Sequence, residues 1–243
     1  MAKAKGFQFK QFFVAHDQCA MKVNTDSIIL GSWCEPVASQ RILDIGTGSG
    51  LLALMLAQKT AATAAITAIE IDEAAYRQAN DNVAASPWAE RLQVIHGNLL
   101  AYRPAQPFDF IVTNPPYFAG VTKNSAAYLQ QSKKRHTARQ EDALNIDDLF
   151  GWSQTHLADD GKMAMVFPYA REAYLLENAL NNGLYVHNKL LIHANPVLPP
   201  YLGAYLFGRI ENEQTVQSMT IRTQNGEYTD AYRKLCKDFY LKF

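Results

Sequence analysis

Asn114-Pro115-Pro116-Tyr117 follows directly on the apolar run Phe108–Thr113. The planar NH2 of a nucleobase or carboxamide is a poor nucleophile, because its lone pair is delocalised. Two oxygen acceptors aimed at its two hydrogens would draw the nitrogen toward tetrahedral geometry and free that pair. The side-chain oxygen of Asn114 and the backbone carbonyl of Pro115 are acceptors of that kind. Pro116 lacks an N–H, fixes its own φ and biases Pro115 to an extended conformation. Tyr117 offers a ring to stack on a planar substrate. Holding the amine about 3 to 3.5 Å from a methyl carbon would supply much of a rate enhancement. No strongly basic side chain is needed, since the product ammonium sheds a proton easily. A base inside structured nucleic acid would have to be turned out to reach such a pocket.

A second constellation is Asp44-Ile-Gly46-Thr-Gly48-Ser-Gly50, where an apolar strand meets a helix. Glycines let a backbone turn sharply and approach a ligand closely. A dinucleotide fingerprint reads GxGxxG and leaves a helix N-terminus open for pyrophosphate. Here the glycines alternate as GxGxG and an acid leads them. Asp44 would repel pyrophosphate and suit the ammonium and sulfonium of S-adenosylmethionine. Glu70, twenty residues past Gly50, can hold both ribose hydroxyls of a nucleoside cofactor. From this turn alone, a dinucleotide or a ligand-free tight turn remains open.

The GxGxG turn resembles motif I of the class I methyltransferases. With Asn-Pro-Pro-Tyr after the fourth strand, residues 20 to 210 resemble the amino-methyltransferases of adenine N6, cytosine N4, guanine N2 and glutamine N5. Closer in, Lys22-Val-Asn-Thr-Asp-Ser-Ile-Ile-Leu-Gly31, the Asn-Pro-Pro-Tyr-Phe loop and Arg135-His-Thr-Ala-Arg139 are similar to a bacterial family. That family methylates N6 of adenine 37, beside the anticodon of a valine tRNA. The resemblance implies a seven-stranded, mostly parallel Rossmann-like sheet, S-adenosylmethionine as cofactor, and tRNA as partner. It also implies Thr25 and Asp26 over the cofactor, Asn114 to Tyr117 gripping the adenine with Asn114 also facing the cofactor, and Asn98 near the cofactor's adenine. Many class I methyltransferases carry Asp where Asn98 stands, and Asn98 can still accept through its amide oxygen. The competing readings are glutamine N5 of a protein, ribosomal RNA, DNA or a small molecule, and an inactive RNA-binding module on the same fold. Glutamine enzymes usually carry a helical N-terminal domain, for which residues 1–40 leave no room.

The elements that must position these groups follow from the pattern. Strands are expected at 41–45, 65–70, 92–96, 108–113 and 162–167, with helices at 50–58, 73–86, 146–158 and 171–182. The first four strand ends are separated by about 25, 26 and 17 residues, which is βαβ spacing. That makes the fold α/β, with helices on both faces of the sheet. Strands at about 184–193 and 203–210 should form an antiparallel pair at the sheet edge. A short strand Met219–Arg222, a turn at Asn225–Gly226 and a terminal helix are expected to follow. The domain reading is 1–40 as an N-terminal extension or lid and 41–243 as the methyltransferase domain with a small C-terminal addition. Thr25-Asp26-Ser27 also reads as an N-cap opening the helix Ile28–Trp33.

Composition sets the outer bounds. The 243 residues are 48% hydrophobic, enough for one sizeable core. Formal net charge is zero, so a nucleic-acid partner needs a local basic surface. Lys5 and Lys10 precede the core, and Lys133, Lys134, Arg135 and Arg139 follow the Asn-Pro-Pro-Tyr loop. These six are the expected RNA contacts, against the plain alternative of solvated faces. Phe7, Phe9, Phe12 and Phe13 are either a stacking surface for unpaired bases or a strand packed on the core. Cys19, Cys34 and Cys236 form no CxxC pair and read as reduced thiols of a cytoplasmic protein. The six histidines show no paired ligand spacing, so no metal is expected. No apolar run is long enough to span a membrane, and no obligate protein partner is evident.

Overall fold

The computed structural model describes residues 5–36, 38–116 and 144–243. Two short strands come first, β1 (Gly6–Gln8) and β2 (Phe13–Ala15), then helix α1 (Thr25–Trp33). The alternation follows: β3 (Arg41–Ile45), α2 (Leu51–Lys59), β4 (Ala65–Glu70), α3 (Glu73–Ala84), β5 (Leu92–His96) and β6 (Phe108–Thr113). The second half holds α4 (Ile146–His156), β7 (Leu157–Pro168), α5 (Glu172–Asn181), β8 (Tyr185–His193), β9 (Leu202–Gly208), β10 (Thr215–Thr220) and α6 (Asp230–Cys236).

Eight strands form the main sheet in the order β10-β8-β9-β7-β6-β3-β4-β5. All neighbours are parallel except β9, which runs antiparallel to both β7 and β8. The antiparallel pair of 184–193 and 203–210 is therefore present. The seven-stranded sheet with an antiparallel edge is corrected to eight strands with the antiparallel strand inside and β10 on the edge. The strand expected at Met219–Arg222 starts earlier, at Thr215. The first four residues of β10 are exposed and polar or isolated, so no alternation marks them, and Met219 is its buried side chain. Likewise β7 begins at Leu157, because Ala-Asp-Asp-Gly reads as a turn although its backbone continues the ladder.

The central strands are apolar on both faces, as a sheet covered by helices on both sides requires. Ile42 packs on one side with α1, α2, α6 and the N-terminal hairpin, and its neighbour Leu43 on the other with α4 and α5. Ile111 and Val112 divide the same way and are fully enclosed. Truncating Ile111 to alanine would cost about 2 to 5 kcal/mol. Gly31 lets α1 approach α2 closely: a Cβ there would sit 2.6 Å from the Met55 sulfur.

The N-terminal aromatics pack inward. Phe9 and Phe12 are buried, with ring centroids 4.6 Å apart, and Phe12 meets Trp88 edge-on at 5.7 Å. Trp33 and Trp88 lean on the same cluster, and Trp152 is buried in the other. Cys19, Cys34 and Cys236 are free thiols. Among the described residues no helix is long and apolar enough to cross a membrane, and no group of three His, Cys, Asp or Glu could hold a metal.

Candidate active site

From β3 the chain winds outward through β4 and β5, then returns to pair β6 on the other side of β3. The switch point therefore lies between β3 and β6, and ligands in open α/β sheets bind in the crevice beyond the carboxyl ends there. Ile45 pairs with Thr113 across these strands, and the Thr113 hydroxyl donates to the Ile45 carbonyl at 2.9 Å. This register places the glycine turn and Asn114 side by side.

Gly46, Gly48 and Gly50 have φ of 67°, 57° and 82°. A side chain at such φ is strained by about 1 to 2 kcal/mol. Nothing lies within 4 Å of where a Cβ would sit on Gly46 or Gly48, so the turn borders open space. The N–H groups of Gly46 and Thr47 donate to the Ile69 carbonyl at 2.9 and 3.1 Å, hanging the turn on the end of β4.

Asp44 is fully buried. Its Oδ2 accepts from the Thr47 hydroxyl at 2.5 Å and from the Ala53 N–H in the first turn of α2 at 3.0 Å. Its Oδ1 has no partner among the described residues. Burial pushes the carboxyl up to about 7, against the opposing pull of those two hydrogen bonds. A buried half-satisfied carboxylate beside open space fits a positively charged ligand.

Glu70 sits at the end of β4, where the sequence places it. Both its oxygens already accept main-chain hydrogen bonds, from Gly48 N at 2.8 Å and Asp72 N at 2.9 Å. It shapes the turn as well as offering its remaining lone pairs to a diol. Asn98 is exposed, and its Oδ1 caps a short 3-10 turn by accepting from Leu100 N at 2.9 Å. The acceptor role expected of it has one lone pair left.

Asn114 is half-buried at the tip of β6, with Pro115 buried and Pro116 exposed behind it. Its Nδ2 donates to the Ser27 hydroxyl at 2.9 Å, while its Oδ1 is enclosed and has no partner among the described residues. Tyr117, Lys133, Lys134, Arg135 and Arg139 lie outside the described residues.

Helix α1 overlies this corner. Its cap is Asn24, whose Oδ1 accepts from Ser27 N at 2.8 Å; Thr25 is the first helical residue, which corrects the reading of Thr25–Ser27 as the cap. The Tyr201 hydroxyl donates to Asp26 at 3.1 Å, and burial raises that phenol's pKa. The end of β2 and the start of the segment joining it to α1 are held to α3 by two buried carboxamides. Asn82 bonds Ala15 N and O at 2.9 and 2.8 Å and reaches Ser49 O at 2.8 Å. Gln78 accepts from Gln18 N and donates to Asp17, each at 2.9 Å.

Gln78, Asn82 and Tyr201 escaped the sequence reading, and Ser27 was read only as part of a cap. The one signal for Gln78 and Asn82 is a polar residue on the buried face of α3. Lys5 is exposed. Lys10, expected on RNA, donates instead to the main-chain oxygens of Lys237 and, at 3.0 Å, Phe243, tying the hairpin to the end of the chain. A cavity of roughly 800 Å³ opens at the opposite, amino-terminal end of the strands, lined by Ser32, Asp109, Asp160 and Leu235. It shares no residue with the corner and none of its chemistry.

Residues 18–188 match the methyltransferase small domain family. The tRNA1(Val) (adenine(37)-N6)-methyltransferase of Serratia proteamaculans is 41% identical over 239 residues, covering 97% of this chain and 90% of that one. The protein of the same description from Erwinia tasmaniensis is 39% identical over 241 residues, covering 98% and 96%. Among solved structures, a predicted O-methyltransferase from Agrobacterium tumefaciens superposes with a TM-score of 0.61 at 16% identity, covering 88% of this chain and 96% of that one. That last likeness concerns the fold alone.

Proposed function

The chain belongs to the methyltransferase small domain family, among the tRNA1(Val) (adenine(37)-N6)-methyltransferases. From that premise we propose that it methylates N6 of adenine 37 in the anticodon loop of a valine tRNA, with S-adenosylmethionine as donor. The observation that carries the chemistry is the enclosed Asn114 Oδ1, without a partner among the described residues, beside a positive-φ glycine turn.

The residues present fit that cofactor. Asp44 would face its cationic end and Gly46, Gly48 and Gly50 would let it lie close to the backbone. Glu70 would take the ribose hydroxyls, with Thr25 and Asn98 at its margins. When bound, it supplies an electrophilic methyl group on a sulfonium. The protein's own task is to make an aromatic amine nucleophilic. Asn114 Oδ1 and the Pro115 carbonyl accept the two N6 hydrogens, which turns the nitrogen lone pair out of conjugation. Pro116 holds Pro115 extended so that its carbonyl keeps that aim. Tyr117 stacks on the extruded base. No side chain need act as a strong base.

Residues 1–40 would form the N-terminal extension or lid, and 41–243 the methyltransferase domain. Lys5, Lys133, Lys134, Arg135 and Arg139 would meet phosphates, and tRNA as substrate places the enzyme in the cytoplasm. The test is to incubate the protein with labelled S-adenosylmethionine and unmodified valine tRNA, digest, and identify the product. N6-methyladenosine at position 37 is expected; label in guanosine, in protein, or nowhere overturns the reading.

A further inference from the structure

We infer that Ser27 is a positioning residue that holds the Asn114 amide in place, with its oxygen left for the substrate; this rests on the function proposed above. The amide of Asn114 has an acceptor end and a donor end that differ by a half-turn. Only the acceptor end can receive a hydrogen from an incoming NH2. Presented the other way, two donors would face each other.

In this structure the Ser27 hydroxyl occupies the donor end. It lies 2.9 Å from Asn114 Nδ2 and accepts one of its hydrogens, which leaves Oδ1 enclosed and without a partner among the described residues. An enclosed unpaired acceptor is costly unless something arrives to satisfy it, and an exocyclic amine is such a donor. Ser27 is itself fixed. It is the third residue of α1, its N–H is held by the Asn24 cap at 2.8 Å, and it is only 8% exposed. The helix behind it is anchored by Ile28, Ile29 and Leu30, all at most 2% exposed, and by the close approach of Gly31 to Met55. The serine hydroxyl thus meets Asn114 from a separate, buried helix, 87 residues away in sequence.

Ser27→Ala removes the hydroxyl while keeping a good helix former at an early helical position. The expected result is a fall in kcat of about 10-fold to 100-fold. Cofactor KM should stay within about twofold, because the glycine turn is untouched. Ser27→Thr, which keeps the oxygen, should recover most of the loss. The Asn114 side-chain amide gives a second readout. In the wild type one of its protons should exchange slowly with solvent, and in Ser27→Ala that protection should vanish. Unchanged kcat in Ser27→Ala, or a loss that Ser27→Thr does not recover, overturns the assignment, as does an Asn114 amide whose exchange ignores Ser27. If Ser27→Ala does not fold, the wild-type exchange measurement and Ser27→Thr decide alone. A wild-type protein that methylates no adenine would sink the proposed function instead, so the two failures are distinguishable.

Discussion

Two enclosed oxygens without partners among the described residues, Asp44 Oδ1 and Asn114 Oδ1, flank the switch point. Each is unfavourable in isolation, and each matches a group of the proposed ternary complex. Asn114→Ala should lower turnover at least about a hundredfold with little change in cofactor affinity, measured by single-turnover kinetics and calorimetry. Near-normal turnover would remove the acceptor mechanism. Asp44 gives a pH signature. Burial raises its carboxyl from 3.8 to about 7. Between those values the folded state keeps a proton that the unfolded chain has released, so stability falls as pH rises through the window and levels off above it. A bound cation favours the carboxylate and reverses that preference. Cofactor affinity should therefore strengthen as pH rises from about 6 toward 8, until the ligand's own amine titrates. Asp44→Asn should flatten the rise. A wild-type affinity independent of pH would show that Asp44 does not face the charge.

Among the elements, α3 does more than cover the sheet. It carries Gln78 and Asn82 on its buried side and spends their amides on residues 15–18 and on the backbone of Ser49 within the glycine turn. One helix therefore fixes both the proposed lid and the cradle beneath it. Asn82→Ala should weaken cofactor binding by about tenfold, near 1.4 kcal/mol, while kcat at saturating cofactor persists. Calorimetry beside steady-state kinetics reads both, and an unaltered Kd would mean that the Asn82 carboxamide does not shape the cradle. Lys10 shows the opposite lesson. A lysine in a basic run reads as a phosphate contact, yet its ammonium finds main-chain oxygens at the far end of the chain. Charge runs leave open whether the partner is solvent, ligand or protein.

At the scale of the whole molecule, 23 basic and 23 acidic residues cancel. Binding to tRNA then depends on a local cluster, not on a global field. Phosphate contacts release counterions, so affinity for valine tRNA should fall with salt. Replacing Lys133 and Lys134 together with alanine should reduce the slope of log K against log salt by about 1.4 to 1.8. Filter binding across a salt series measures this, and an unchanged slope would take these lysines off the interface.

The order of strands and helices from β3 through β6, the switch-point crevice and the two motifs at its mouth are all set by local pattern. Runs buried on both faces, glycines at a strand end and an Asn-Pro-Pro-Tyr turn each announce themselves within a few residues. β10 was hidden because an exposed edge strand has little hydrophobic periodicity to display. The choice between core and stacking surface for Phe9 and Phe12 was open because the same aromatics serve either, and burial of both rings decided it. Ser27 meeting Asn114, Tyr201 meeting Asp26, and Asn82 meeting Ser49 join residues 87, 175 and 33 apart. A hydrogen bond between distant side chains depends on where the fold carries both, and no spacing in the chain encodes that meeting. The chain thus declared its chemistry locally, while the tertiary structure alone chose which side chains hold that chemistry in aim.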